Sequence, residues 1–344
     1  MQLALSLAAL LIAAPKTQRP SDRCTTLLEC ELSCPEISVQ GQRKTAAGKD
    51  VTFCDPVGEE VLWHNDRRRA SQGERFGDKR TGTWRFWHPN GVLASQENFA
   101  DTGVVHGKQQ FWYPNKTRKR TTHYREGIRD GLYETWHPNG RKSETRQYKN
   151  GSLVGEIREW HTNGRLAALG TISANTVTWE RYFTTGRVGL KGQVESTRGK
   201  LELGDHMQPI GEWFIYSPRG RTLVHMQFTA GRLDGHYKRY FANGKPMRIE
   251  RYRNGNPINT HLLYFESGQI RKKQEFKEGG EGQAHGLFET YFPNGNIHDS
   301  GTYKRGKKYG VWMQYNRDGF PIQKIDYRSQ PPQQENYDNQ GVKR

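Results

Sequence analysis

The chain has 344 residues, 33% of them hydrophobic with Tyr counted, and a mean hydropathy of −0.96. That is too lean for a thick-cored globule of this length, while 9 Trp, 16 Tyr and 14 Phe exclude a disordered chain, which is poor in aromatics. A net charge of +17 points toward anionic partners.

Residues 3–14, LALSLAALLIAA, form an apolar run too short to span a bilayer and fitting the hydrophobic region of a signal peptide. Export to the periplasm or the extracellular space follows; the alternative is a buried N-terminal segment in a cytoplasmic protein. Residues 15–57 hold all four cysteines, Cys24, Cys30, Cys34 and Cys54. An even, clustered set in an exported chain reads as two disulfides stapling a small cap. A zinc site on the four thiolates is the rival, although its usual C-x2-C pairs are absent.

From residue 58 the chain repeats itself. GTWRFWHPNG (82–91), GLYETWHPNG (131–140) and GLFETYFPNG (286–295) are near copies. Anchoring on the leading Gly as position zero gives ten registers, at Gly82, Gly107, Gly131, Gly155, Val177, Gly211, Gly235, Asn259, Gly286 and Gly310, most of them 24 residues apart. A step back reaches Gly58, whose copy keeps Trp63. A Gly recurs at position nine in every one of the ten except the second, where Lys116 stands. A segment repeated at fixed spacing is a structural unit and not a copied active site.

The Pro-Asn-Gly punctuation specifies the turn. Pro and Asn suit a type I turn, and Gly suits a following left-handed residue, giving a three-residue hairpin loop. Position five should then pair with position eleven. Position five reads Trp87, Trp112, Trp136, Trp160, Tyr182, Tyr216, Tyr240, Tyr264, Tyr291 and Tyr315. By period-two alternation, position seventeen (Phe99, Tyr124, Tyr148 and their equivalents) is expected on the same face. Position two, aromatic in seven copies, has the opposite parity, so either a bulge reconciles it or both faces carry aromatics. The prediction is an all-β protein, an elongated antiparallel meander of ten to eleven 24-residue hairpins roughly 100 Å long.

The pattern G-x-[WYF]-x-x-[WY]-x-x-[ND]-G-x-[LIV] resembles the MORN (membrane occupation and recognition nexus) repeat, most closely the bacterial variant of YwqK-type antitoxin-like proteins. The resemblance covers about residues 58–328. It implies a scaffold that contacts partner proteins, with anionic phospholipid binding known for some members and an antitoxin role suggested by the bacterial name.

Position five is Trp before Val177 and Tyr from there on, and the copy at Val177 is stretched around 195–209. Two sub-arrays are therefore expected, 58–176 and 177–328, joined by a tolerated loop or a partner-binding insertion, with a loose polar tail at 329–344. His64, His88, His137 and His161 share one slot on successive hairpins, too far apart for one metal, so a structural role is expected. His106 and His285, each before a repeat-opening Gly, are read the same way. No nucleophile, carboxylate pair or metal set stands out; no catalytic activity and no cofactor are expected.

Basic runs are the remaining signal: Arg67, Arg68 and Arg69; Lys116, Arg118, Lys119 and Arg120; Arg271, Lys272 and Lys273; Lys304, Arg305, Lys307 and Lys308. Aligned on one edge they would form a basic stripe beside aromatics; otherwise they are solvated charges that keep sheet edges from pairing. The reading is an exported, non-catalytic scaffold that binds an acidic protein through an aromatic, basic surface. Its alternatives are a binder of anionic phospholipid or envelope polymer and an antitoxin or immunity protein. Nucleic acid is the least expected partner, and no small-molecule substrate is expected.

Overall fold

The computed structural model describes residues 38–44, 50–65, 67–196, 207–279 and 281–344. The apolar run 3–14, Cys24, Cys30, Cys34 and residues 197–206 of the insertion lie outside the described residues, and with them the expected disulfide cap. Cys54 lies on the second strand, opposite Gln40. The described residues contain strands and turns and no helix. Chain packing divides the molecule into two units, Met1–Gly151 and Ser152–Arg344.

The first unit holds β1 (Ser38–Lys44), β2 (Asp50–Trp63), β3 (Arg69–Phe76), β4 (Lys79–Trp87), β5 (Leu93–Phe99) and β6 (Gly107–Trp112). It continues with β7 (Arg118–Arg125), the two-residue β8 (Ile128–Arg129), β9 (Gly131–Trp136) and β10 (Lys142–Lys149). Consecutive strands pair antiparallel from β1 to β8; β7 also pairs with β9, and β9 with β10.

The second unit is a meander of the same kind. Its strands are β11 (Ser152–Trp160), β12 (Leu166–Ser173), β13 (Thr176–Tyr182), β14 (Val188–Ser196), β15 (Met207–Tyr216), β16 (Thr222–Thr229), β17 (Arg232–Tyr240) and β18 (Pro246–Arg253). They are followed by β19 (Asn256–Tyr264), β20 (Ile270–Phe276), β21 (Ala284–Tyr291), β22 (Ile297–Lys304), β23 (Lys307–Tyr315), β24 (Pro321–Asp326) and β25 (Gln333–Asn336). The sub-array boundary read from the sequence, 176/177, falls inside the β12–β13 pair, where Ile172 faces Val177.

The hairpin loop follows from its residues as expected. The His88 N–H donates to Val92 O at 2.8 Å, the Gly91 N–H returns to His88 O at 2.8 Å, and Gly91 takes φ 81°. Position five accordingly pairs with position eleven: Trp87 with Leu93, Trp112 with Arg118 and Trp136 with Lys142, and likewise Tyr182 with Val188 through Tyr315 with Pro321. On the opposite edge the turns have two central residues, both at positive φ, as in Asn150–Gly151 (49° and 79°) and Asn254–Gly255 (49° and 84°).

The face assignment needs correction. Trp87 pairs with Leu93 but Phe86 with Ser95, so Ala94 is an extra residue. This bulge recurs at position twelve of the hairpins and reverses the parity of the returning strand. Position seventeen therefore shares a face with positions zero, two and four, and position five lies on the other face with position eleven. Rings at two and seventeen meet edge to face: Tyr133 with Tyr148, Trp213 with Phe228, Tyr237 with Tyr252 and Phe288 with Tyr303.

A second irregularity packs this face. Gln72 pairs with Arg85 and Glu74 with Thr81, so three residues (82–84) span the space of Gly73. Gly82, at φ 62°, permits the detour, and the Trp84 indole settles on Gly73 with no exposure. A Cβ on Gly73 would lie 2.4 Å from the ring. Every Trp at position two faces a Gly on the preceding strand: Trp84 on Gly73, Trp179 on Gly170, Trp213 on Gly192 and Trp312 on Gly301. Three of these indoles donate Nε1–H to the carbonyl after that Gly: Glu74 O at 2.8 Å, Gln193 O at 3.1 Å and Thr302 O at 3.2 Å. Where Val177 replaces the leading Gly, β12 and β13 pair without a shift.

Residues 329–344 differ from the loose tail expected. β25 pairs with β24, Tyr337 bridges to Lys343, and Gly341 closes a turn on Asp338 O at 3.0 Å. Tyr337, Gly341 and Lys343 occupy positions five, nine and eleven of a further copy, which lacks both the leading Gly and the aromatic at position two.

Candidate interaction surface

Within each unit, several hairpin loops are tied to the next by the residues that shape them. Asn90 Oδ1 accepts the Val92 N–H at 3.1 Å, and its Nδ2 donates to Pro114 O of the following loop at 3.0 Å. Asn115 donates in the same way to Pro138 O at 2.8 Å, and in the second unit Asn243 to Glu266 O at 3.1 Å and Asn294 to Arg317 O at 2.8 Å. The histidine slot serves the same end. His64 Nε2 lies 2.9 Å from Trp87 O, His88 Nε2 3.0 Å from Trp112 O and His161 Nε2 2.9 Å from Tyr182 O. His106 and His285 accept turn N–H groups, from Glu126 at 3.3 Å and Arg305 at 3.5 Å. These histidines hold repeats in register.

Next to this stitched edge, positions five and eleven form a ladder across the strands. In the first unit it reads Trp63, Arg69, Trp87, Leu93, Trp112, Arg118, Trp136, Lys142, one residue from each of eight strands. The Arg69 guanidinium lies 5.9 Å from the Trp63 ring and 5.4 Å from the Trp87 ring, so it sits between two indoles. Arg118 lies 5.2 Å from the Trp136 ring. Such contacts contribute about 0.5–1 kcal/mol each at exposed sites. Both arginines are exposed, Trp63 is 55% exposed, and Trp87, Trp112 and Trp136 are half-buried. Among the described residues no carboxylate pairs with Arg69 or Arg118; Arg69 Nη1 donates to Gln72 Oε1 at 2.6 Å. Lys142 meets Glu134 at 2.8 Å.

The basic runs disperse because strand residues alternate. Arg67 and Lys116 hold the position-nine slot of their loops, at φ 63° and 70°, where other copies place Gly. Arg68, on the same edge, donates to Pro89 O at 3.1 Å. Arg67, Arg68, Arg69, Lys116 and Arg118 thus gather along the loop edge of the first unit. Lys119 is a bulge residue near the Tyr113 ring, and Arg120 crosses to the other face, 3.9 Å from the Phe111 ring. In the second unit Arg271 is likewise a bulge residue, and Lys272 lies 5.0 Å from the Phe288 ring, on the face opposite Lys273. Lys304, Arg305 and Lys307 occupy the opposite turn edge, and Lys308 reaches over Trp312 at 4.2 Å.

Lys308 belongs to a set the sequence reading missed. Two residues before the leading Gly, a cation covers the aromatic at position two: Arg80 over Trp84 at 4.6 Å, Arg129 over Tyr133 at 5.8 Å and Lys308 over Trp312. Their common offset from the repeat-opening Gly was the signal available. Part of the positive charge thus shields ring faces.

The second unit continues position five with Trp160, Tyr182, Tyr216, Tyr240, Tyr264, Tyr291 and Tyr315, separated by Leu166, Val188, Thr222, Pro246, Ile270, Ile297 and Pro321. None of these rungs is charged; a cation returns only at the final rung, where Lys343 lies opposite Tyr337 and pairs with Glu335 at 3.0 Å. Burial, and then a hydrogen bond to a Glu two residues earlier, push the hydroxyls of Tyr182 and Tyr291 up to about 12. Tyr252, on the other face and bonded to Glu250, is raised to about 12 for the same reasons.

One cluster outside the ladder brings metal-type donors together. Glu212 on β15, His225 on β16 and His236 on β17 place their donor atoms within 4.8 Å of one another. Sequence spacing did not flag them, because they occupy positions one and fourteen of one hairpin and position one of the next.

The sequence model of one family, the MORN repeat variant, matches residues 80–101, 129–150, 233–254 and 284–305. Each match covers a repeat described above, two in each unit. No curated protein matches the chain.

Proposed function

The chain is a MORN-variant repeat protein, and on that premise we propose that it is a non-catalytic scaffold that holds an acidic partner protein against the Trp–cation ladder of its first unit. The repeat architecture itself is of a type that ordinarily serves interaction and not enzymatic chemistry. The observation that carries the reading is Arg69 between Trp63 and Trp87, repeated at Arg118 beside Trp136. A guanidinium held against an indole still presents further N–H groups to a carboxylate, and the contact holds it ready at reduced entropic cost. The exposed Trp63 supplies the kind of aromatic anchor found at interface hot spots. In this reading the protein acts outside the cytoplasm, as the apolar run at 3–14 favours.

A second reading, capture of anionic lipid or envelope polymer, is favoured by the cations at the loop edge, Arg67, Arg68 and Lys116. Pull-down from the native envelope at low and high salt, with the full chain and with an Arg69→Gln/Arg118→Gln variant, separates the two. One stoichiometric acidic protein, kept at high salt and lost with the double variant, supports the scaffold. A mixed anionic catch that salt removes supports the second reading. Capture that is identical for variant and wild type overturns the ladder as the site.

A further inference from the structure

We infer that Glu212, His225 and His236 form a binding site for a divalent transition-metal ion of the zinc type. The three residues lie on consecutive strands of one meander, on one face. His225 pairs with Phe214 on β15, and Lys238, two residues from His236, pairs with His225 across β16 and β17.

The distances suit a tetrahedral ion. Zinc binds imidazole nitrogen and carboxylate oxygen at about 2.0–2.2 Å, which sets neighbouring donors about 3.3 Å apart. His225 Nε2 lies 2.9 Å from His236 Nε2 and 3.6 Å from Glu212 Oε1, so the two separations bracket that value. The third separation, within 4.8 Å, closes by rotation of the exposed Glu212 side chain.

The rings are held for this role. Phe214 stacks on His225 with centroids 4.2 Å apart and planes at 16°, and His236 meets His225 at 68°. Two imidazoles and one carboxylate are the donor set of an open zinc site, with the fourth position left to water or to a donor from a bound partner. Desolvation first, then the charges of His225, Lys238 and Arg251, lower the His236 pKa, which favours the neutral imidazole that a metal requires. Lys238 and Arg251 oppose the charge of an ion, and Glu212 offsets them.

The test is calorimetric titration of the full chain with Zn2+, repeated with Co2+ as a spectroscopic probe, on wild type and on His225→Gln, His236→Gln and Glu212→Gln. The four cysteines are common to all, so the difference between wild type and variant isolates this site. Loss of one equivalent in each histidine variant is expected, together with weakening of more than about tenfold in Glu212→Gln, since even outer-shell substitutions reach that size. The wild-type-minus-variant cobalt spectrum should show four-coordinate bands without thiolate charge transfer. Far-UV circular dichroism without metal checks each variant's fold, and the surface substitution Glu212→Gln keeps the test open if a histidine variant misfolds. Unchanged stoichiometry and affinity in the variants that fold would overturn the site.

Discussion

The two units run the same register through different chemistry. In residues 58–151 the ladder alternates Trp with Arg69, Leu93, Arg118 and Lys142; in residues 152–344 it alternates mainly Tyr with Leu, Val, Thr, Pro and Ile. Backbone pairing is indifferent to this change, because positions five and eleven are set opposite one another by the loop alone. A MORN-type array thus separates the residues that make the hairpin from those that give a stretch its surface. The first unit's rungs include three cations, whereas those of the second are uncharged up to Pro321.

Removing a shared fold element should act alike in both units. Trp84→Ala in the first and Trp312→Ala in the second should each destabilise by about 3–5 kcal/mol in thermal or denaturant unfolding. Gly73→Ala should approach that loss, since its Cβ would meet the indole at 2.4 Å. If either Trp can be removed without loss, the aromatic at position two is not the core of its unit.

Partner binding should divide the units. Arg69→Ala combined with Arg118→Ala should weaken capture of an acidic partner at least about tenfold, as lost charge-assisted hydrogen bonds do, with stability changed by less than about 1 kcal/mol. Thr222→Ala, at an equivalent rung of the second unit, should leave binding unchanged in the same titration.

Alkaline pH should sharpen the contrast. The folded-state values of Tyr182, Tyr252 and Tyr291 are raised to about 12, above the usual 10 of an unfolded tyrosine. Their contribution is therefore complete below pH 10 and is lost as pH rises from 10 through 12. Hydrogen exchange followed across that range should show protection falling in β13, β18 and β21, ahead of the Trp-bearing strands β4 and β6.

The smallest effect concerns the loop. Lys116 holds φ 70° where other copies have Gly, so Lys116→Gly should stabilise the first unit by about 1 kcal/mol in a thermal melt. The same change should slightly weaken binding if the loop-edge cation contributes.

The sequence made the loop and its register legible because Pro89, Asn90 and Gly91 act locally, through fixed φ, a side-chain bond and a left-handed residue. It hid the face reversal because the bulge has no residue signature: Ala94, Lys119, Ser143, Leu223, Met247 and Ile322 all occupy it. With the parity unknown, basic runs could not be divided between faces. His225 and His236 could not be brought together for the same reason. The final copy, at 337–343, escaped notice because Pro332 stands in place of its leading Gly and Gln334 in place of its position-two aromatic.

The stitching along the loop edge points one way. Asn90 and His88 serve the backbone of the repeat that follows, and Asn115 serves the next in turn. Any copy that ends in this loop can satisfy any copy that begins after it. Duplication of a whole 24-residue copy inside a unit therefore leaves no loop-edge bond broken at either junction, provided each position-two Trp keeps its facing Gly. Copy number can drift under such a rule while each copy stays intact, so evolution can lengthen the array before it specialises individual rungs.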